Sequence, residues 1–136
     1  FMRIYNADGG EVGACGNGMR AVGVLLGGKR RVDTVAGVIE TDAADDGARV
    51  DMGMPAFEWD RIPLAYAMDT LRMPVGWGAL TEPVAVSMGN PHAVFFVSDL
   101  DAVNLAAVGP EIEHDPLFPE RVNVNIAQVT ARDRIR

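Results

Sequence analysis

The sequence contains little cysteine, no excess of positive charge and no long apolar run. Cys15 is the one cysteine among 136 residues, which excludes an internal disulfide and a cysteine-based metal cluster within the chain. The 12 Lys and Arg residues against 19 Asp and Glu give a net charge of -7, so the clustered cations that non-specific nucleic-acid binding requires are lacking. No stretch approaches the ~20 apolar residues that span a bilayer, and none resembles a secretion signal. We expect a cytoplasmic protein with neither nucleic acid nor membrane as a partner.

The composition that is present is typical of a folded globular protein. Apolar residues make up 49 % and charged residues 23 %, which permits a packed core. The length fits one ordinary domain or two small incomplete ones. The chain begins in a strand-like segment, 1–5, without an initial methionine, and it ends in another, 132–136. We therefore expect that residues are missing at both ends.

One segment has the composition of a buried helix. Residues 19–26 are apolar except for Arg20, a pattern that predicts a helix covered on all sides. The glycines at 27–28 favour a C-terminus there. The cations at 29–31 suit the negative end of the helix dipole.

Alternating runs predict strands on both sides of an irregular segment. That segment, 55–83, contains four prolines and both tryptophans, and we interpret it as a crossover between domains. A second helix is predicted over 101–108, capped by Ser98-Asp99 and ended by Gly109-Pro110. Asp45-Asp46-Gly47 predicts a hairpin turn. The predicted strands cover 32–36, 38–41, 48–54, 83–88, 93–97 and 121–129.

Cys15 is the strongest candidate for chemistry. It precedes Gly16-Asn17-Gly18 and the start of the predicted helix, where unpaired backbone N–H groups act as about half a positive charge. That environment favours a thiolate, and the glycines let a substrate approach N–H groups that can hold a carboxylate or enolate oxygen. Such a site suits removal of a proton α to a carboxylate. A free cysteine packed as a small apolar side chain is the alternative, and the glycines on both sides of Asn17 favour the functional interpretation.

Further polar side chains are weaker candidates when taken alone. Asn90-Pro91-His92 lies between two predicted strands, where Asn-Pro is an ordinary turn dipeptide. Arg121, Asn123 and Asn125 share one strand face by period two, and contact with solvent is the simpler explanation of a polar face. His114 has no second histidine at metal-ligand spacing, so we expect it at the surface and expect no metal site.

Three blocks of residues form a pattern that spans nearly the whole chain. The first is Asn6-Ala7-Asp8-Gly9-Gly10-Glu11-Val12, followed by Cys15-Gly16-Asn17-Gly18 and an arginine in the helix. The second is Ser87-Met88-Gly89-Asn90-Pro91-His92. The third joins 110–114 to Phe118-Pro119-Glu120-Arg121-Val122-Asn123. Together, and in this order, the blocks resemble the diaminopimelate epimerase family.

The resemblance implies a fold and a reaction. The family has an α/β (α+β) fold of two pseudo-symmetric domains, each wrapping strands around a central helix, with the active site in the cleft between them. By this resemblance, 1–57 would be part of the N-terminal domain, with a central helix at about 17–27, and 58–136 part of the C-terminal domain. The reaction interconverts LL- and meso-diaminopimelate for lysine and peptidoglycan precursors, without metal, pyridoxal phosphate or other cofactor. A homodimer is a further expectation from the family.

The resemblance also implies roles for individual residues. In the family, two cysteines face each other across the substrate Cα. One, as thiolate, removes the proton, and the other, as thiol, returns one from the opposite face. Cys15 would be one of the two, and His92 would lie near the reacting centre. The residues implied to bind the carboxylate or other polar groups of diaminopimelate are Asn6, Gly16, Asn17, Asn90 and Asn123.

The chain departs from the family pattern in three respects. A second Cys-Gly-Thr-Gly-like segment preceded by Glu-Arg is absent from the 136 residues, as are the family's first strands, and Gly10 replaces a usual serine. With one base and no opposing acid, we expect the chain as given to be inactive as an epimerase.

Two other interpretations stay open. One is a non-catalytic binding or interaction protein that keeps the fold, and slow alkylation of Cys15 would favour it. The other is a different two-base racemase or isomerase of the same superfamily. The Asn-Pro-His and Glu-Arg-Val-Asn blocks argue against this second one.

Overall fold

Short strands alternate with helices along the chain. The computed structural model describes residues 1–7 and 9–136. It has two compact units, Phe1–Met54 with Met88–Asn90 and Pro55–Ser87 with Pro91–Arg136. The predicted α+β class is confirmed, whereas the division of the whole protein into domains at 57 and 58 stays a prediction. In chain order the elements are β1 (Ile4–Tyr5), β2 (Glu11–Val12), α1 (Gly16–Leu26), β3 (Gly28–Thr34), β4 (Gly37–Ala44), β5 (Gly47–Asp51), β6 (Gly76–Trp77), β7 (Leu80–Thr81), β8 (Val84–Ser87), β9 (Pro91–Phe96), α2 (Leu105–Glu113), β10 (Asn123–Ala127), β11 (Val129–Ala131) and β12 (Arg134–Ile135).

Local chemistry sets both ends of α1. Cys15 is the N-cap, with the extended backbone (φ -149°, ψ 100°) that such a position requires. Gly27 has φ 66° and donates its N–H to the Gly23 carbonyl at 2.9 Å, so a glycine ends the helix as predicted. One of the predicted cations, Arg30, donates from Nη2 to the Leu26 carbonyl at 3.1 Å. It satisfies one of the carbonyls that the helix leaves unpaired at its C-terminus.

Only one side of α1 is covered within the described residues. Met19 and Gly23 are buried, and a Cβ on Gly23 would lie 3.1 Å from Thr41 Cβ and 3.2 Å from Ala48 Cβ. On the other side Leu25 is 83 % exposed and Val24 57 %. The prediction of a helix buried all round is therefore wrong for this chain. Apolar composition indicates which side chains prefer burial, but a single sheet can cover only one face of a helix.

The sheet beneath α1 is antiparallel, in the order β3-β4-β5. The predicted hairpin at Asp45-Asp46-Gly47 is confirmed, since it joins β4 to β5. Alternation along β4 leaves Ile39 and Thr41 buried and the intervening Glu40 exposed. The sheet thus has one face packed in the core of the first unit and one charged face towards solvent.

We expect Thr41→Val to stabilise the first unit. Thr41 is 2 % exposed, and its Oγ1 has no hydrogen-bond partner in the part of the chain described here. A buried hydroxyl without a partner costs about 1–3 kcal/mol, and valine removes it without a large change in volume. The free energy of unfolding, measured by urea denaturation, should rise by about 1 kcal/mol.

Thr34→Val is the matched control for this substitution. Thr34 is also buried in the same sheet, with 6 % exposure, but its Oγ1 donates to the Gly37 carbonyl at 2.7 Å. Valine there removes a satisfied bond and should lower the free energy of unfolding by about 1 kcal/mol. Equal losses from both substitutions would mean that the Thr41 hydroxyl has a partner, such as a bound water.

The second unit contains a three-stranded sheet, in the order β10-β9-β8. β9 pairs antiparallel with β8 and parallel with β10, and α2 lies in the crossover that a parallel pair requires. The core centres on Trp77, whose ring lies 6.1 Å from Phe118 and 6.0 Å from Phe95 between centroids. Its Nε1 donates to Asp115 Oδ2 at 3.0 Å, which satisfies the buried indole N–H.

The irregular segment 55–83 contributes more to this unit than its interpretation as a crossover indicates. It contains β6 and β7, and it supplies a large share of the hydrophobic core. The core residues from this segment are Ile62, Leu64, Met73, Trp77 and Leu80. Prolines end regular structure but do not prevent the residues between them from packing.

The predicted bounds of the second helix are wrong. α2 begins after Asn104, whose Oδ1 accepts from the Ala107 N–H at 3.2 Å, and it continues through Pro110 to Glu113. Asp99 instead accepts the Asp101 N–H at 3.0 Å, which makes a local turn. Both residue types satisfy a nearby backbone N–H, so the sequence pattern does not separate a turn from a helix cap.

Candidate functional site

The thiol of Cys15 lies at the N-terminus of α1, as the sequence predicts. Its Sγ accepts the Gly18 N–H at 3.3 Å, and its carbonyl accepts the Met19 N–H at 2.9 Å. The residue is half-buried and not disulfide-bonded. By helix geometry the N–H groups of Gly16 and Asn17 have no intrahelical acceptor and face the same end. A sulfur and a group of N–H donors therefore share one helix terminus, which suits an anionic ligand.

Asn17 is exposed beside this terminus, and its side chain pairs with Arg20. The Arg20 guanidinium donates to Asn17 Oδ1, one helical turn along. The amide is thus oriented by a cation, which leaves its NH2 group as the end that can donate elsewhere. The predicted contact of Asn17 with a carboxylate stays a prediction, and Arg20 adds a positive charge close to it.

The turn that carries Asn90 packs against the loop before Cys15. A Cβ placed on Gly13 would lie 2.6 Å from the Gly89 carbonyl oxygen, and one on Gly89 would lie 3.0 Å from Ala14 Cβ. Such contacts are possible only because both positions are glycine. Within the first unit the structure therefore brings the turn 88–90 onto the segment that leads into Cys15. Asn90 itself is half-buried, and its carbonyl accepts the Met88 N–H at 3.2 Å.

Asn6 lies in the turn between β1 and β2. Its N–H donates to the Gly10 carbonyl and its carbonyl accepts the Gly9 N–H, both at 2.9 Å. These two bonds form the turn that the sequence predicts over 6–10, of which Asp8 lies outside the described residues. The side chain of Asn6 is exposed, and its predicted contact with substrate stays a prediction.

His92 lies at the start of β9 in the second unit, rather than in the turn as predicted. Asn125 on the neighbouring strand β10 places its Nδ2 3.2 Å from His92 Nδ1. Asn123 Nδ2 donates to the Pro91 carbonyl at 2.9 Å. Asn123 and Asn125 therefore make side-chain contacts with the first two residues of β9. From period-two spacing alone, contact with solvent was the simpler explanation of this polar face. Burial lowers the pKa of His92, which favours a neutral ring at neutral pH.

Arg121, just before β10, has a strained backbone. Its φ is 68°, in the left-handed region that favours glycine, and its N–H donates to the Phe118 carbonyl at 2.9 Å. A non-glycine residue in this region costs about 1–2 kcal/mol. Strain of this kind often accompanies functional segments, and here it lies two residues before Asn123. No sequence pattern indicates it.

From the sequence we expected neither a metal site nor a membrane-spanning segment. Among the described residues, no three His, Cys, Asp or Glu side chains converge as metal ligands. Neither helix in the described ranges is long and apolar enough to cross a membrane. His114 is exposed, as predicted, and its Nδ1 lies 2.8 Å from the Pro110 carbonyl.

The chain has close relatives over nearly its whole length. The family model described as diaminopimelate epimerase matches residues 84–136. The chain is 63 % identical to the diaminopimelate epimerase of Erythrobacter litoralis over 135 residues, which are 99 % of this chain and 50 % of that protein. The resemblance to diaminopimelate epimerases is confirmed. The matched family segment contains the second and third sequence blocks, and the alignment with the relative includes the Cys15 segment as well.

Other diaminopimelate epimerases show the same coverage. The chain is 58 % identical to those of Zymomonas mobilis and Rhizorhabdus wittichii, over 99 % of its own length in each case. It covers 50 % of the first protein and 49 % of the second. The chain thus spans about half the length of the curated relatives it matches.

Proposed function

We propose that this chain carries one of the two acid/base cysteines of a diaminopimelate epimerase, and that Cys15 is this residue. The reaction would be the inversion of LL- to meso-diaminopimelate for lysine and peptidoglycan precursors, in the cytoplasm and without a cofactor. The observation that carries the proposal is the position of Cys15 Sγ at the N-terminus of α1, within 3.3 Å of the Gly18 N–H. The relatives, all called diaminopimelate epimerase, support the choice of substrate.

The proposed first step is proton removal from the substrate Cα. The Cys15 thiolate takes the proton and becomes a thiol, and the electron pair left on Cα delocalises into the adjacent carboxylate. Negative charge then accumulates on the carboxylate oxygens. The N–H groups of Gly16 and Asn17 would stabilise this charge more strongly than that of the starting carboxylate, which lowers the barrier.

The proposed second step is proton return on the opposite face of Cα. A second cysteine thiol gives up its proton to Cα and becomes a thiolate. One proton leaves and one arrives, so the substrate is inverted without change in charge. Because Cys15 is the only cysteine in the sequence, the 136 residues supply one of these two groups. We accordingly propose that they cannot complete the inversion alone.

The proposal predicts a difference between two purified proteins. One is the product of the complete reading frame that contains these residues, and the other is the 136-residue chain. Each is incubated with LL-diaminopimelate in D2O, and the meso isomer and deuterium at Cα are measured by NMR. We expect the complete product to form the meso isomer with deuterium at Cα, because the returned proton comes from a thiol that exchanges with solvent. The 136-residue chain should form no meso isomer.

Two results would contradict the proposal in different ways. Formation of the meso isomer by the 136-residue chain would show that one cysteine suffices. A complete product that folds but neither inverts nor exchanges the substrate would favour the non-catalytic binding protein. Analysis of alanine and proline as substrates serves as a control, because another racemase of the superfamily would act on a different amino acid.

A further inference from the structure

Asn125 has an environment that fixes the orientation of its side-chain amide. The residue is half-buried on β10, and its Nδ2 lies 2.9 Å from the Asn123 carbonyl oxygen and 3.5 Å from that of Ala93. The third neighbour of this nitrogen is His92 Nδ1, at 3.2 Å. The two hydrogens of the NH2 group suffice for the two shorter contacts, with Asn123 and His92.

The carbonyl groups decide which end of the amide faces the histidine. A carbonyl oxygen only accepts, so a rotated amide would place Asn125 Oδ1 against two other oxygens without a hydrogen between them. The NH2 group must therefore face the carbonyls, and the same group faces His92. Because NH2 only donates, His92 Nδ1 has to accept. In a neutral ring the hydrogen then resides on Nε2.

His114 provides a contrast in the same unit. Its Nδ1 lies 2.8 Å from the Pro110 carbonyl oxygen, which cannot donate. Nδ1 of His114 must therefore carry the hydrogen. The chain contains only these two histidines, and their surroundings select opposite tautomers. Burial of His92 also keeps its ring neutral to lower pH, so that the tautomer is the form present near neutrality.

We propose that Asn125 is a positioning residue that holds His92 as its Nε2–H tautomer, so that His92 presents a hydrogen-bond donor at Nε2 and does not act as a general base. A nitrogen that already carries a hydrogen cannot take a proton from a thiol or from the substrate, and Nδ1 is occupied by the Asn125 amide. The tautomer follows from the contacts of Asn125 and does not rest on the proposed function.

The tautomers can be measured directly in the 136-residue chain labelled with 15N. A long-range 1H–15N spectrum distinguishes the two neutral forms of each ring, at a pH at which both rings are uncharged. We expect the Nε2–H pattern for His92 and the Nδ1–H pattern for His114. His114→Gln removes one set of signals and so assigns both. An Nδ1–H pattern for His92 would overturn the proposal.

Two substitutions test whether Asn125 is the cause. Asn125→Asp keeps the shape but replaces the donor with a carboxylate that only accepts, so the ring hydrogen of His92 should move to Nδ1. Asn125→Ala should leave a mixture of both tautomers. The His114 pattern in the same spectrum reports that the unit is folded. An unchanged Nε2–H pattern in both variants would show that Asn125 does not hold the tautomer. No substrate is present, so this outcome is independent of whether the complete protein is an epimerase.

Discussion

If the proposed function is correct, Cys15→Ser in the product of the complete reading frame should lower epimerase turnover by about 10²–10⁴-fold or more, the usual contribution of a general acid or base. A serine hydroxyl fits the same space but stays protonated in neutral water, so it cannot remove the Cα proton. The measurement is the initial rate of meso-diaminopimelate formation, together with the rate at which deuterium enters Cα. Cys15→Ala should lower the turnover to the same extent.

The same two variants should differ in stability. This difference separates the role of Cys15 as a helix cap from its proposed catalytic role. Serine at an N-cap accepts the N–H of the third helical residue, so Cys15→Ser keeps the bond that Sγ now makes with Gly18. Alanine has no acceptor, and its free energy of unfolding should be about 0.5–2 kcal/mol lower than that of the serine variant. A folded Cys15→Ser protein with wild-type turnover would show that Cys15 only caps the helix.

The sequence predicted best those features that depend on a few neighbouring residues. Cys15 at the start of a helix, Gly27 at its end and the hairpin at 45–47 all follow from local backbone chemistry, and the structure contains each of them. The errors arose where one local pattern fits two structures. Asp99 and Asn104 both satisfy a nearby N–H, but only Asn104 begins a helix.

Features that depend on distant residues were not predictable from one sequence. Period-two spacing placed Asn123 and Asn125 on one strand face, but only the parallel register of β10 with β9 brings them to Pro91 and His92. The contact of Gly89 with Gly13 joins residues far apart in the chain, and the spacing of the glycines gives no sign of it. The exposed face of α1 was unpredictable for the same reason, because composition does not show how many sides of a helix other elements cover.

The largest effects on stability are expected at the glycines where the turn 88–90 meets the loop before Cys15. Gly13→Ala introduces crowding alone, because its Cβ would lie 2.6 Å from a backbone oxygen of Gly89. A backbone atom cannot rotate away, so the turn must move, and we expect the free energy of unfolding to fall by about 1–3 kcal/mol. Gly53→Ala introduces backbone strain alone, since φ is 81° and nothing lies within 4 Å of the new Cβ. Its expected cost is about 1–2 kcal/mol.

Gly89→Ala should combine both penalties and be the most destabilising of the three. Its φ is 93°, and its Cβ would lie 2.9 Å from Ala36 Cβ and 3.0 Å from Ala14 Cβ. Adding Ala36→Gly removes the nearer of these two contacts, so the double variant should recover part of the loss but not the part caused by φ. Ala36→Gly should not rescue Gly13→Ala to the same extent, because that clash is chiefly with the Gly89 oxygen. Urea denaturation of the three single variants and the two double variants measures these differences.

The same substitutions should affect catalysis through Asn90 if the proposed function is correct. Displacement of the turn 88–90 moves Asn90 relative to the segment that holds Cys15, so Gly13→Ala in the complete protein should raise KM for diaminopimelate. Gly53→Ala has a similar stability cost, but its new Cβ has nothing within 4 Å and so does not touch the turn 88–90; it should leave KM unchanged. Equal KM values in the two variants, both measured well below their unfolding temperatures, would mean that the position of Asn90 does not matter for substrate binding. A rise confined to Gly13→Ala would assign the glycine contact a role in holding the substrate-binding turn.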